Sequence, residues 1–595
     1  MLDRFGEPTL GWLGACPLLP PAVKRNPGYF AVRRRKFLLL PLVSSVVLAA
    51  GVALVQPSAV AGPQTSAATD YLVLMKGTSV DAAARKAIAK AGGTITEENS
   101  KLGYAYVTTK DARFAGKVSA AAGVAGAAKE RVIGKAPQQV RATTYDFERM
   151  TAERKAGKGA PTVADAAASP TAEPLANLQW DMRQIGATAN GSYAKDTGSK
   201  AVKVGIIDTG IDGTHPDIAP NFDNKLSANF VSDKPDIDGP CEHPSCVDPA
   251  NEDDDGHGTH VASTIGSPIN GLGIAGVAPN VDLVNIRAGQ DSGYFFLEPT
   301  LKALEYAGDI GVDVVNMSFY TDPWLYNCTD NPADSPAEQT EQRVIRTATQ
   351  RALDYAINHG VLPVAAMGNE ATDLGHPTSD DSSPDYPADA AHDRTVDNSC
   401  ISVPTESRGV VAVSSTGVST RKAYYSNWGT EQTDIAAPGG DVYDTFDNTR
   451  NIKGAVLAAY PASLAEANGD LNPDGTPNND AVVRDCKGAV CGYYQYLQGT
   501  SMASPHAVGV AALVVSAHGR TDKVHGGLTL APATTRSWLY RTARDLPCPS
   551  PRTFHYTRIL PEGAGVVESD ARCEGPRTKN GFYGRGLVNA NNAVS

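Results

Sequence analysis

The chain has 595 residues and a formal net charge of −12, from 53 basic and 65 acidic side chains. This length accommodates one large domain and a smaller one, each with its own core. The charged residues of the main body are distributed without long runs of one sign, and the net charge is acidic. The composition therefore gives no indication of nucleic-acid binding.

An export signal is predicted within residues 1–61. A basic cluster at residues 33–36 precedes an apolar run over residues 37–55, and a small-x-small cleavage pattern ends at Ala61. A membrane helix is the alternative, although Pro41 interrupts the run. The paired arginines leave the Sec and twin-arginine routes both open. We therefore expect a secreted protein with no stable membrane span after signal removal.

Eight cysteines follow the signal, and their even number in an exported chain favours disulfides. Eight cysteines allow 105 pairings. The short spacings point to Cys241 with Cys246 and Cys486 with Cys491, and leave Cys328, Cys400, Cys548 and Cys573 unassigned. A zinc site is the competing interpretation, but the few histidines are not spaced like ligands beside these cysteines.

Residues 62–136 predict a small α+β domain. Strands are expected at 71–75, within 94–109 and at 131–133, with helices at 81–91 and 112–128. This βαββαβ order is typical of a ferredoxin-like module. The following residues 137–174 are polar and rich in Ala, Pro and Thr, which indicates an exposed linker open to proteolysis.

Residues 175–595 alternate short apolar runs with helical segments. We predict strands at 202–207, 281–286, 312–317, 361–366 and 410–413, and helices at 257–265, 299–307 and 338–359. Continuous apolar strands separated by helices indicate an α/β fold with a doubly wound parallel sheet covered on both faces. Reactive groups in such folds gather at the carboxyl ends of the strands.

Four polar residues stand at such positions. Asp208 ends the run VGIID, Asn369 follows the strand in PVAAMGNEA, and His257 begins the helical segment HGTHVAST. Ser501, in GTSMASPH, lies at the first turn of a helix that is apolar on nearly every face. Taken singly, each is more often a turn former or a cap than a reactive group.

Taken together, four segments of the chain resemble the subtilisin-like serine proteases, the subtilases. These segments are VGIIDTGIDGTHPDI, DGHGTHVAS, AAMGNEA and GTSMASPH. The resemblance extends from about residue 178 to the closing GFYGRGLVNANNAV. The resemblance implies that Ser501 is the nucleophile, His257 the general base and Asp208 its orienting partner. Asn369 would stabilise the oxyanion beside the Ser501 N–H. His260 is expected to be structural.

The resemblance also implies roles for the early domain and for cofactors. Residues 62–136 would be an I9-like inhibitory propeptide, acting on its own enzyme and cut off in the linker; an independent binding domain is the alternative. Catalysis would need no cofactor.

Two substrate-binding segments depart from the family pattern. Where subtilases carry Ser-Leu-Gly on an edge strand beside the substrate, this chain has Ser318, Phe319 and Tyr320. In the second segment, Ala366, Met367 and Gly368, methionine replaces the usual alanine. Both changes add bulk, so we expect a narrowed or reshaped S1 pocket without predicting its preferred side chain.

The resemblance and one further motif point to structural calcium. Asp217 and Asn270 fall where subtilases bind a stabilising calcium ion. Asp470, Asn472 and Asp474 match the first half of a calcium loop, but the closing Glu is absent and a polar turn is the alternative.

Insertions are expected at 221–251, 320–338, 388–401 and 441–497. Each carries one or two cysteines, which favours stiffening over a rim that restricts access.

The sequence thus predicts a monomeric secreted serine endopeptidase, made as a self-processing zymogen and acting on proteins or peptides. A specialised protease that removes a leader from one partner is the alternative within the same class. An inactive binding protein on a protease scaffold is the alternative outside it.

Overall fold

A computed structural model describes residues 68–130 and 173–595, apart from residue 388. The predicted export signal, nearly all of the predicted linker and the strand expected at 131–133 lie outside these residues.

The early domain contains six elements in the order βαββαβ. They are β1 (Thr69–Met75), α1 (Ala82–Ala91), β2 (Gly93–Asn99), β3 (Tyr104–Thr109), α2 (Phe114–Ser119) and β4 (Val124–Glu130). The strands form an antiparallel sheet in the order β2-β3-β1-β4. Asp81 caps α1 by accepting from the Ala84 N–H at 2.7 Å, and Gly92 ends it with a φ of 94°.

The prediction of one helix over residues 112–128 is wrong. Helix α2 ends at Ser119, and the alanine-rich residues that follow form β4, which pairs with β1. Their helical propensity is overridden by packing, because a small-residue strand lies against the rest of the protein. A Cβ atom added to Gly126 would lie only 2.8 Å from Cγ2 of Val344.

The larger domain contains the remaining elements, given in chain order. The strands are β5 (Lys203–Ile207), β6 (Ala228–Asn229), β7 (Asp282–Arg287), β8 (Val314–Met317), β9 (Leu362–Ala366), β10 (Ser379–Asp380), β11 (Arg394–Thr395), β12 (Val411–Thr416), β13 (Ile435–Pro438), β14 (Val456–Tyr460), β15 (Val482–Lys487), β16 (Val490–Leu497), β17 (Arg520–Thr521), β18 (Leu528–Thr529), β19 (Thr553–Ile559) and β20 (Val566–Arg572). The helices are α3 (Trp180–Ile185), α4 (His257–Gly266), α5 (Leu297–Ile310), α6 (Pro336–Asn358), α7 (Ala462–Ala467), α8 (Thr500–His518), α9 (Pro532–Thr542) and α10 (Ala590–Ala593).

A seven-stranded parallel sheet organises this domain, in the order β13-β12-β9-β8-β5-β7-β6. Successive strand residues alternate between two cores: Val314 packs with helices α4 and α8, whereas Val315 packs with α5 and α6. Helices therefore cover both faces, and the predicted doubly wound α/β fold is confirmed.

Helix α8 runs through the first of these cores. Every residue from Thr500 to Val515 is buried, as expected from a segment that is apolar all round. Among the described residues it is the one helix long and apolar enough to cross a membrane, and most of that stretch is packed inside the protein.

Four disulfides link parts of the larger domain. Cys241–Cys246 and Cys486–Cys491 confirm the two pairings predicted from spacing, and Cys486–Cys491 closes the β15–β16 hairpin. The other two are Cys328–Cys400, which joins two of the predicted insertions, and Cys548–Cys573.

Candidate active site

Asp208 and His257 meet at the carboxyl end of the sheet. Asp208 directly follows β5 and His257 is the first residue of α4. The His257 ring donates from Nδ1 to Asp208 Oδ1 at 2.7 Å, and the Thr209 N–H donates to the same oxygen at 2.9 Å. Asp208 is fully buried and His257 is 5% exposed, so this pair is largely shielded from water.

A glycine allows this close approach. A Cβ atom added to Gly258 would lie 2.1 Å from the carbonyl oxygen of Gly210 and 3.0 Å from Cβ of Asp208. The segment before α4 is also fixed: Asp253 accepts from the Gly256 N–H and the Thr209 hydroxyl, at 2.9 and 3.1 Å. The start of α4 can therefore lie directly against the tip of β5.

Ser501 lies in the first turn of α8 and lines the same cleft as His257. Its hydroxyl donates to the Ser318 carbonyl at 3.3 Å, and the Ser318 hydroxyl donates to the Ser501 carbonyl at 3.0 Å. The buried start of α8 is thus held against the end of β8. Its first-turn N–H groups and helix dipole favour negative charge at this position.

Asn369 follows β9 and is oriented by the residue preceding Ser501. Its Oδ1 accepts from both the N–H and the hydroxyl of Thr500, each at 2.9 Å. The Thr500 hydroxyl also accepts from the Gly368 N–H at 2.9 Å. Asn369 therefore lines the cleft with its amide oxygen held by Thr500.

Ser318, Phe319 and Tyr320 line the cleft beyond the end of β8. β8 pairs with β5 on one side and β9 on the other, so it is a central strand, and these three residues follow its last residue, Met317. Phe319 stacks on Phe295 with ring centroids 4.1 Å apart. The three residues extend from a central strand into the cleft.

The second segment lines the cleft only in part. Ala366 and Gly368 do so, but Met367 is wrongly predicted to narrow the pocket. Its side chain is 1% exposed and packs behind the wall with Tyr326 and Ala412. Successive side chains of an extended chain point to opposite faces. Ala366 and Gly368 therefore line the cleft, whereas the Met367 side chain lies in the core.

An acidic group that sequence reasoning missed lies beside Tyr320. The Tyr320 hydroxyl donates to Asp385 Oδ2 at 2.7 Å, and Asp322 lines the cleft with them. Burial, together with the neighbouring Asp385, raises the pKa of Asp322 well above its usual range. Among the described residues lining the cleft there are carboxylates, including Asp255, but no lysine or arginine. The raised pKa favours the neutral form of Asp322, so Asp322 and Asp385 form an acidic pair that does not carry two full charges.

His260 has the structural role that was predicted. It is fully buried, and its Nε2 lies 3.2 Å from the carbonyl oxygens of Val456 and Gln495. Burial lowers its pKa to about 3, so the ring is neutral at physiological pH.

The predicted calcium ligands Asp217 and Asn270 do not fit a metal. Asp217 accepts hydrogen bonds from the Asn270 amide nitrogen at 3.0 Å, the Ile274 N–H at 3.1 Å and the Tyr494 hydroxyl at 3.1 Å. Asn270 turns its amide oxygen to the Leu272 N–H instead. Calcium requires several oxygens directed at one point, whereas this carboxylate is bound by protein donors.

The calcium-loop-like segment is a polar turn. Asp474 accepts from the N–H and hydroxyl of Thr476, at 3.0 and 2.6 Å, and the Asn472 amide donates to the same hydroxyl at 3.0 Å. Asp470 accepts from the Tyr460 hydroxyl at 3.0 Å. These side chains fold the loop on itself, as the alternative interpretation expected, and do not converge on an ion.

Comparison with known proteins identifies the family. The model of the subtilase family, Peptidase S8, matches residues 199–580, more than half of the chain. The chain belongs to the subtilase family. Subtilisin DY of Bacillus licheniformis is 29% identical over 373 residues, which cover 63% of this subtilase and 91% of that protein. Subtilisin E of Bacillus subtilis is 27% identical over 342 residues, covering 58% and 62% respectively.

Solved structures show the same fold. The epidermin leader peptide processing serine protease EpiP from Staphylococcus aureus has a TM-score of 0.56 at 22% identity, covering 89% of this chain and 98% of that one. Fervidolysin from Fervidobacterium pennivorans, a keratinolytic enzyme related to subtilisin, has a TM-score of 0.51 at 20% identity, covering 90% and 62%. This subtilase is therefore a serine-type endopeptidase of a family that acts on proteins or peptides and needs no cofactor for catalysis.

Proposed function

We propose that this subtilase is a secreted endopeptidase, made as a self-processing zymogen, in which Ser501, His257 and Asp208 perform acyl transfer. The observation that carries the proposal is the 2.7 Å contact between His257 Nδ1 and Asp208 Oδ1 in a buried site whose cleft also includes Ser501. Each residue stands at a strand end or helix start, where the fold holds it rigidly.

The chemistry follows from this arrangement. With Nδ1–H donated to Asp208, Nε2 of His257 is the basic nitrogen and takes the proton as Ser501 Oγ bonds to the substrate carbonyl carbon. Asp208 stabilises the imidazolium. His257 then gives the proton to the leaving amine as the C–N bond breaks, and water hydrolyses the acyl-enzyme by the same steps.

Asn369 and the Ser501 N–H are proposed to donate to the oxyanion. Thr500 holds the Asn369 amide oxygen through two bonds, which fixes the amide nitrogen before substrate arrives. A donor oriented in advance stabilises the transition state without reorganisation at the moment of reaction.

The acidic group in the cleft supports cleavage after a basic residue. Tyr320 belongs to the segment expected to flank the substrate. Its hydroxyl donates a hydrogen bond to Asp385, and Asp322 lines the cleft with them. A guanidinium or ammonium group would favour the ionised form of this acidic pair, and the described lining residues include no lysine or arginine to compete with it.

The early domain is proposed to be the inhibitory propeptide. One face of its sheet, which includes Leu72, Leu74 and Tyr104, shares a buried apolar cluster with residues of α5 and α6. Its other face packs on its own helices α1 and α2. A surface already buried against the protease domain fits an intramolecular partner better than an independent binding domain.

Polar contacts surround this apolar surface. The Arg351 guanidinium donates to four carbonyls of the early domain, those of Met75, Lys76, Gly77 and Leu102, at 3.0–3.2 Å. Lys101 Nζ lies 2.6 Å from Asp309 Oδ2 on α5. These contacts fix the orientation of the domain on the two helices. Glu130, the last described residue of β4, accepts from the Glu298 N–H in the first turn of α5 at 3.1 Å.

Secretion is supported by the four disulfides and by the relatedness to subtilisins. A second candidate function is a maturation protease that removes a leader from one partner. The acidic cleft favours it, because a basic residue at the cleavage site would restrict the substrates.

Two experiments test the proposal. Expression of the chain with and without Ser501→Ala, followed by sequencing of the mature N-terminus, should give self-cleavage before residue 175 in the wild type only. Labelling with a fluorophosphonate should modify Ser501, and its failure on the properly folded, matured protein would support the inactive scaffold. Comparing denatured casein with a peptide library then separates a digestive from a leader-removing protease.

A further inference from the structure

A cluster of carboxylates, of which Asp233 and Asp248 are buried and Asp254 and Asp291 half-buried, lies outside the cleft between the insertion at 221–251 and the end of β7. One carboxylate oxygen from each of Asp248, Asp254 and Asp291 lies within 4.8 Å of the other two. Asp291 forms a second group of the same compactness with Asp233 and Glu242. Asp233 is 7% exposed and Asp248 is 3% exposed, so water does little to screen their charges.

A single buried arginine neutralises only part of this charge. Arg287 is fully buried and donates from Nη1 to Asp248 Oδ2 at 2.7 Å and from Nη2 to Asp291 Oδ1. It therefore uses one oxygen of each of these two carboxylates. His243 is bonded to Glu252 at 2.8 Å, and its Nε2 is 3.9 Å from Asp248 Oδ1, beyond hydrogen-bonding distance.

The remaining oxygens are what indicate a ligand. Asp233 Oδ2, Asp248 Oδ1, Asp254 Oδ2 and Asp291 Oδ2 are buried and accept no hydrogen bond within the described part of the chain. Buried carboxylates are normally paired or bound to a metal, and these are neither fully paired nor solvated.

We propose that Asp248, Asp254 and Asp291 bind one divalent cation of the calcium class. Asp233 would be a neighbouring carboxylate that contacts the site through Asp291. Carboxylate oxygens are hard ligands, and calcium accepts six to eight of them in flexible geometry, with carbonyls and water completing the shell. The site is distinct from Asp217 and Asn270, whose side-chain oxygens accept hydrogen bonds from protein donors.

The cation would order the segment that leads to His257. Asp254 lies between Asp253, which bonds Thr209 and Thr259, and Asp255, which accepts from the His257 N–H at 3.1 Å. Asp248 belongs to the insertion at 221–251 and lies two residues after the Cys241–Cys246 disulfide. Binding would join that insertion to the start of α4 and to the residues after β7.

The test compares Asp254→Asn with the wild type in the full chain, both carrying Ser501→Ala to prevent self-digestion. Calorimetric titration with calcium chloride should show one site that Asp254→Asn weakens at least about tenfold, because loss of even an outer-shell partner typically costs 10–100-fold in metal affinity. Asp217→Asn and Asp474→Asn are the matched controls and should bind calcium as the wild type does.

Thermal unfolding gives an independent readout. In chelator, Asp254→Asn should have a Tm equal to or above that of the wild type, because it removes one repelling charge; in excess calcium the order should reverse. Calcium affinity within twofold of wild type in Asp254→Asn, no calcium binding by the wild type, or loss of binding in Asp217→Asn would each overturn the proposal. Failure of Asp254→Asn to fold in chelator would also count against it, because the carboxylate would then be stabilising without a metal.

Discussion

Replacing Arg351 with alanine should weaken inhibition by the early domain. The guanidinium donates to four main-chain carbonyls of that domain, at 3.0–3.2 Å. A hydrogen bond that replaces one to water contributes about 0.5–1.5 kcal/mol to the binding free energy, so four contribute about 2–6 kcal/mol. Arg351 is only half-buried and the freed carbonyls can bind water, so we expect about 3 kcal/mol, or about a 10²-fold increase in the inhibition constant.

The assay adds a separately produced early domain, residues 68–130, to the matured enzyme and follows hydrolysis of a peptide substrate. Arg351 is not among the residues lining the cleft, so kcat/KM without the domain should stay at the wild-type value. Arg408→Ala is the control, since that side chain is 74% exposed and pairs with Asp354 instead. An inhibition constant of Arg351→Ala within twofold of wild type would refute this account of how the domain is held.

Three further predictions concern the cleft and the core. In a peptide panel varied at P1, substrates with arginine or lysine should be cleaved best, and best cleavage after large aromatic residues would contradict this. Asp385→Asn should lower kcat/KM for the P1-arginine peptide by about 10–10²-fold and for the P1-phenylalanine peptide by less. Asp208→Asn should lower kcat by about 10⁴-fold and Asn369→Ala by about 10²–10³-fold, magnitudes known for such triads and for this family's asparagine, with Tm unchanged as the control. Burial lowers the pKa of His260 to about 3, against about 6.5 when unfolded, so the unfolded state binds more protons between these values and stability is lost as pH falls from 6.5 to 3. His260→Gln should flatten that dependence in urea unfolding at pH 7, 5.5 and 4, and an unchanged slope would assign it to other groups.

The parallel sheet was predictable because its strands are short apolar runs that end in a polar residue or glycine. The expected strand at 202–207 is β5, and the expected helix at 257–265 is α4 to within one residue. Both disulfides of five-residue separation were also predictable, since hairpin-like spacing leaves few alternatives. Cys328 and Cys400 are 72 residues apart, and only the packed fold brings them together.

Features built from distant segments escaped the sequence. Asp322 and Asp385 carry no motif, and they meet only because two irregular segments fold over the end of β8. Met367 was misassigned because the side-chain direction at a strand end depends on register. The strand β4 was read as helix because alanine-rich sequence has high helical propensity, which pairing with β1 overrides.

The two hydrogen bonds that Thr500 donates to Asn369 join two parts of the site that are 131 residues apart in sequence. Fraying of the first turn of α8 would displace the hydroxyl nucleophile and misalign the amide in the same event. Because this turn is buried in the core, both losses should coincide with global unfolding, so turnover and peptide affinity should fall together as the protein melts.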